Sequence, residues 1–256
     1  MIKLASIKFK VLNNMSKTIY PTVLAVETST SACSVALIHE GKEYTQHEIL
    51  PQKHAHRVLE MVEQVIKDSA INTNDIAALA FGEGPGAFTG IRIASGVIQG
   101  LALGWDKPVL AISSLKALAE RYFSENKLTQ DTEWCAVMDA RMKEVYILRG
   151  QYIAETKEII SETPLMISPD KIQDFLPTEL PCIGFGDIAD IYPDIMEQFS
   201  LWHTGLPEAV SVAKIAQLNI KIAKSLDEEI PKPLYLRNHV ADTIEERKIK
   251  AKLKSM

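Results

Sequence analysis

An α/β chain with mixed β-sheets flanked by helices, built from two similar halves, is the fold that the sequence predicts, on three observations. Short apolar runs alternate with segments of helical period after residue 50, the pattern of strand–helix–strand units. The first three apolar runs follow one another across short turns, which makes an antiparallel meander and therefore a mixed sheet. The stretch CAVMDARMKEVYIL, residues 135–148, repeats the order of VLAVETSTSACSVAL, residues 23–37: apolar strand, acidic residue, polar turn, returning strand.

Taken in order, Val23 to Val26 and Ser34 to Ile38 are strands separated by a Thr/Ser-rich turn, and Gly41 leads to a third near Tyr44 to Ile49. His56 to Ala70 follows as a helix, with apolar residues at Val58, Leu59, Met61, Val62, Val65 and Ile66. Ile76 to Phe81 is a strand, and the glycine-rich stretch from Gly82 leads into a helix that ends near Gly104. Pro108 to Ile112 is the next strand, after which Ser113 or Ser114 can cap a helix running through Arg121. Cys135 to Met138 and Val145 to Leu148 open the second half. Helices are expected near Pro169 to Phe175 and Ile188 to Phe199, and a longer one from about Glu208 to Leu226, stopped by the proline-containing segment Asp227 to Pro233. The implied plan is an extension over 1–20, with Met15 as an alternative start, one subdomain over 21–112 and a second over 113–238. The helix at 208–226 can pack back on the first subdomain, and a charged tail occupies 239–256. Two such halves facing each other resemble the actin-like nucleotide-binding fold, in which paired hairpins grip phosphates from both sides.

Composition narrows the function. Of 256 residues, 46% are hydrophobic and 24% charged, ordinary globular usage with no apolar run of about 18 residues to span a bilayer. The net charge of −5 disfavours a protein that binds nucleic acid unaided, although the lysine-rich tail leaves RNA contact open. Lysines interrupt the apolar residues of the first twenty positions, so no secretion signal forms. Cys33, Cys135 and Cys182 are widely spaced within apolar runs and suit buried thiols in a reducing cytoplasm.

GEGPGAFTGIRIASGVIQG, residues 82–100, looks like a phosphate loop and fails the test: no Gly-Lys-Ser/Thr follows, and the glycine spacing is wrong for a dinucleotide fingerprint. Glu83 would repel a phosphate. Thr89 is a candidate cap for the helix, and Arg92 in its first turn needs a carboxylate or another partner to offset the dipole. Apolar and small residues cover an arc of roughly 220° of this helix, wider than one packing partner needs. Ile91, Ala94, Ile98 and Leu101 form one side; Ile93, Gly96, Val97, Gly100 and Gly104 form another whose glycines allow close approach. The preceding helix covers roughly 180°, with Val58, Met61 and Val65 toward one edge and Leu59, Val62 and Ile66 toward the other. Surplus apolar surface on two neighbouring helices predicts a docking platform; enclosure within the chain's own domain is the competing reading.

His54 and His56, two residues apart on a helix, point about 200° from each other and cannot close on one metal ion. They are expected to be solvated at the start of the helix. Glu27 and Asp139 end strands where actin-like kinases and ATPases place the carboxylates that organise a magnesium-phosphate unit. TSTSAC lacks a glycine to admit phosphate to backbone amides, so nucleotide turnover by this chain alone is not expected. No serine–histidine–acid triad can be assigned.

VLAVETSTSACSVAL, GEGPGAFTGIRIASGVIQGLALG, VMDARMKEVY and PLYLRN, between Val23 and Asn238, closely resemble the bacterial TsaB (YeaZ) family, partner subunits in the synthesis of threonylcarbamoyladenosine on tRNA. The resemblance implies an actin-like (ASKHA) fold of two subdomains, no catalysis of its own, no cofactor and no metal. It implies pairing with the TsaD transferase and the ATPase TsaE in the cytoplasm, with tRNA reached only through the complex, and self-pairing through the same helices. With the apolar faces above, it directs the interface to Val58, Met61, Val62, Val65, Ile93, Ala94, Gly96, Val97, Gly100, Leu101 and Gly104. Glu27, where many members have aspartate, weakens independent nucleotide binding. The rival class is an actin-like enzyme, either a small-molecule kinase or ATPase or a metallopeptidase.

Overall fold

The computed structural model describes residues 20–176 and 181–237. Its first sheet opens with β1 (Val23–Glu27), β2 (Ala32–His39) and β3 (Lys42–Ile49), paired antiparallel as the meander requires. β1 is buried on both faces, whereas β3, at the edge, carries exposed and half-buried polar residues. Then come α1 (His54–Ser69), β4 (Ala78–Gly84), α2 (Phe88–Trp105) and β5 (Val109–Ser113). β4 pairs parallel with both β1 and β5, giving the order β3-β2-β1-β4-β5.

α3 (Ser114–Glu125) begins on Ser113, whose hydroxyl accepts from the Lys116 amide at 3.4 Å. β6 (Thr132–Arg141), β7 (Glu144–Ile153), β8 (Glu158–Ser161), β9 (Leu165–Ile167), β10 (Cys182–Gly186), α4 (Pro193–Met196), β11 (Leu201–Thr204) and α5 (Ala209–Leu218) complete the chain. The second sheet runs β11-β10-β6-β7-β8, with β9 also on β7. Read from the β8 end, its order and strand directions are those of the first sheet: two antiparallel pairs, then two parallel ones. The internal repeat is therefore a duplicated topology.

α1 and α2 cover one face of the first sheet around Leu24, Val26, Leu79 and Phe81. α5 covers the other, its Ala209, Val212, Ala213 and Ala216 lying on Val23, Ala25, Ala36 and Ala80. Ser34 of β2 accepts the first amide of α5, Ala209, at 2.9 Å. α3 packs on the second sheet around Trp134, Ala136 and Phe185. The three thiols are free and buried, and burial pushes Cys33 up to about 11 and Cys182 to about 12.

Three expected helices differ in the structure. The segment 188–199 is helical only over Pro193–Met196: proline can open a helix, but it holds Tyr192 before it out of helical geometry. Pro169–Phe175 is a 3-10 turn. The helix expected over 208–226 ends at Leu218, and a 3-10 turn over Ile220–Ile222 follows. Lys224 then exchanges two backbone hydrogen bonds with Val109 at 2.8 and 3.1 Å, so pairing with β5 takes the chain before the prolines do. The extension, apart from Tyr20, and the charged tail over 239–256 lie outside the described residues.

Where α3 meets α5, Glu120 is enclosed, and its Oε2 has no hydrogen-bond partner among the described residues. Burial pushes its carboxyl up to about 7, against the pull of Ser211 and Lys214 on α5. A carboxyl raised on folding stabilises the fold while it is protonated: the contribution is full below the unfolded value of 4.5 and is lost as pH rises through about 7. Glu120→Gln is expected to flatten that loss and to make the chain more stable by on the order of 1–3 kcal/mol at about pH 8 but not at about pH 5. Urea unfolding at the two pH values checks this; equal gains at both would contradict it.

Candidate functional site

The glycine-rich stretch brings α2 down onto the 28–31 turn. A Cβ on Gly86 would sit 2.4 Å from the Ser29 carbonyl oxygen, and one on Gly90 2.0 Å from that of Thr28. Ala87 N–H donates to the Ser29 carbonyl at 2.7 Å, and the Thr28 hydroxyl donates to the Gly90 carbonyl at 2.8 Å. These glycines serve contact between two segments of the same backbone, and the space where a phosphate loop would cradle an anion is filled by the chain itself. The helix begins at Phe88 on Ala87, so Thr89 is inside it and is not its cap. Arg92 has an aromatic partner where a carboxylate was an option: its guanidinium lies 3.7 Å from the Phe88 ring centroid and donates to the Tyr235 hydroxyl at 2.8 Å.

Glu27 is fully buried and turned to its own scaffold, accepting from Ser29 N–H and Ser114 Oγ, each at 2.6 Å. Burial raises its carboxyl, although these hydrogen bonds oppose the shift. Gly82 makes room for it, since a Cβ there would fall 1.8 Å from Glu27 Oε2. Asp139 pairs with Arg141 at 3.0 Å, and its own N–H donates to Asp187 Oδ1 at 3.0 Å. Burial raises Asp187 as well. Between the lobes lies a cleft of about 880 Å³, lined by Ser31, His54, Phe88, Asp139, Asp187 and Arg237 among others.

His56 is exposed, but His54 is buried with Nε2 3.3 Å from the Ser31 carbonyl, which corrects the expectation that both are solvated. Among the described residues no three His, Cys, Asp or Glu side chains converge as a metal site.

The expected interface residues divide. Val58, Met61, Val62 and Val65 of α1 and Ala94 of α2 are buried in the chain's own core and offer no side-chain surface. They face the sheet because the apolar arc of α1 is centred there, leaving Leu59 (55% exposed) and half-buried Ile66 at its outer edge. On α2 both sides exist: Ile91, Ala94 and Ile98 are buried, while Ile93, Val97 and Leu101 are half-buried and Gly96, Gly100 and Gly104 exposed. A Cβ on any of these three glycines would meet nothing within 4 Å among the described residues. Leu103, 78% exposed, belongs to the same surface. It was missed, although at 100° per residue it lies beside Gly96 and Gly100. Glycine in a helix interior costs about 0.5–1 kcal/mol relative to alanine. Gly100→Ala is therefore expected to raise the stability of the isolated chain by about that much, read as a higher denaturation midpoint at unchanged slope.

Two copies of one mixed-sheet topology, facing each other over a cleft with strand-end acids beside it, make this an actin-like (ASKHA) protein. The profile of the TsaD family, tRNA N6-adenosine threonylcarbamoyltransferase, matches residues 41–230. The tRNA threonylcarbamoyladenosine biosynthesis protein TsaB of Haemophilus influenzae is 36% identical over 86% of this chain and 94% of its own. That of Escherichia coli is 35% identical over 86% and 96%. The solved structure of YeaZ from Pseudomonas aeruginosa matches with a TM-score of 0.70 and 36% identity, covering 84% of this chain and all of that one. The chain belongs to the TsaB (YeaZ) family of tRNA threonylcarbamoyladenosine biosynthesis proteins.

Proposed function

We propose that the chain is a non-catalytic, cytoplasmic subunit of the threonylcarbamoyladenosine pathway, docking through the outer face of α2 onto the TsaD transferase and working with the ATPase TsaE. tRNA is reached through the complex, and a second copy of the chain can occupy the same face. One observation carries the reading: Gly96, Gly100 and Gly104 leave an open track along α2, flanked by Ile93, Val97 and Leu103, that none of the described residues fills. Such a track suits a partner helix at close range. No helix among the described residues is long and apolar enough to cross a membrane.

The rival, an actin-like enzyme, is supported by the cleft but opposed by Glu27, whose carboxylate is spent on Ser29 and Ser114. Mixing the chain with its TsaD and measuring mass by light scattering is expected to give a species heavier than either alone; two unchanged masses at micromolar concentration overturn the docking role. ATP turnover by the purified chain that vanishes in Asp139→Asn would favour the enzyme.

A further inference from the structure

The described residues of PLYLRN, 233–237, lie apart from the Gly96–Gly100–Gly104 track, and their structure gives them a separate task. Residues 231–237 form a strap outside any helix or strand, and Leu234 to Arg237 line the cleft. At its first end the strap is fixed to the first lobe. The Pro231 carbonyl accepts from Ser95 Oγ at 3.2 Å and from Gln99 Nε2 at 2.7 Å, both on α2, and Leu234 N–H donates to the Glu83 carbonyl at 2.8 Å. Tyr235 then lies against Phe88, ring centroids 5.7 Å apart, and its hydroxyl accepts from Arg92.

The next two residues belong to the second lobe. Leu236 packs on the core of the second sheet. Arg237 donates to the Ala140 carbonyl at 2.9 Å and pairs with Glu144 at 2.7 Å, spanning the two sides of the β6–β7 hairpin. The tip it holds is costly backbone: Arg141, Met142 and Lys143 all have left-handed φ, at 63°, 55° and 60°. Three such residues in a row, none of them glycine, persist only where surrounding contacts over-determine them.

Away from the cleft the lobes are joined by α3, which packs on α5, β4 and β5 as well as on the second sheet, and no α3 residue lines the cleft. The chain crosses again from β11 to α5 over residues 205–208, so of the three crossings only the strap lines the cleft. We propose that the strap Pro231–Arg237 is a clasp that fixes the opening of the inter-lobe cleft, with Arg92–Tyr235 as its anchor on the first lobe and Arg237 as its anchor on the second. The three motifs GPGAFTGIR, DARMKEVY and PLYLRN meet in it. The clasp stands independently of the docking role, since it concerns the chain alone.

The test is a distance distribution between spin labels on the full chain, one at Lys53→Cys at the rim of the first lobe and one at Glu155→Cys on the second, both exposed. The native thiols are buried. The parent is expected to give one narrow distribution. Arg237→Ala with Tyr235→Ala is expected to broaden it and to speed amide exchange at the 141–143 tip by about tenfold or more. Arg149→Ala, which removes an exposed ion pair to Glu162 outside the strap, is expected to change neither. If the double variant does not fold, Arg237→Lys, which keeps the charge but not the planar guanidinium that meets both Ala140 and Glu144 through Nη2, is expected to give an intermediate effect. Unchanged width and unchanged exchange in a folded strap variant overturn the proposal, as does equal broadening in Arg149→Ala.

Discussion

Gly100→Arg is expected to weaken the complex with TsaD by about 100-fold while leaving the chain's own unfolding almost unchanged. The two halves of that expectation rest on different facts. A side chain at position 100 meets none of the described residues, so the described fold does not resist it. A partner helix lying on the Gly96–Gly100–Gly104 track would be pushed away, and an unpaired charge would be buried, at a cost on the order of 3 kcal/mol. Titration calorimetry reads the first half and thermal melting the second. Unchanged affinity would remove α2 from the interface. Lost affinity with a collapsed melting temperature would mean that the helix face is needed by the chain itself.

Gly90→Ala, nearly three turns earlier on the same helix, is expected to do the opposite of Gly100→Ala. Its new Cβ would lie 2.0 Å from the Thr28 carbonyl oxygen, and the obstacle is backbone, which no rotamer change can move. Either α2 lifts off the 28–31 turn, losing the Thr28–Gly90 and Ala87–Ser29 hydrogen bonds, or the β1–β2 turn deforms. The loss is expected to be about 3 kcal/mol or more, seen as a melting temperature lower by roughly 5–10 °C. A variant as stable as the parent would show that the helix seat is soft.

Much of the fold could be read from local pattern because local pattern causes it. The meander at residues 23–49 has strands long enough and turns short enough to allow no other pairing, and the order strand, acid, turn, strand marks where the second sheet begins. The two-sided character of α2 was legible because glycine and isoleucine separate cleanly at 100° per residue. Which side faces the sheet is not local, however, and on α1 the two edges of the apolar arc do not separate core from surface: Val62, on the edge of Leu59 and Ile66, is buried with Val58. Similarly, periodicity continues through 219–226, but the helix does not, because Lys224 finds a backbone partner in β5 more than a hundred residues away. The roles of Arg237, Tyr235 and Glu27 were hidden for the same reason. Each is set by a partner remote in sequence, and spacing alone places Glu27 as readily on a ligand as on Ser114.

The way α5 crosses back has a bearing on how the protein is made. A nascent chain emerging up to residue 113 has every strand of its first sheet, yet Val23, Ala25, Ala36 and Ala80 have nothing to cover them until Ala209 to Ala216 arrive. The N-terminal half is thus not expected to fold autonomously, and its bare apolar face is open to self-association for as long as the ribosome takes to add about a hundred residues. Sequence-distant closure of this kind makes for slow, late-committing folding, and a truncation before residue 209 would yield an insoluble fragment where one might look for a minimal docking domain.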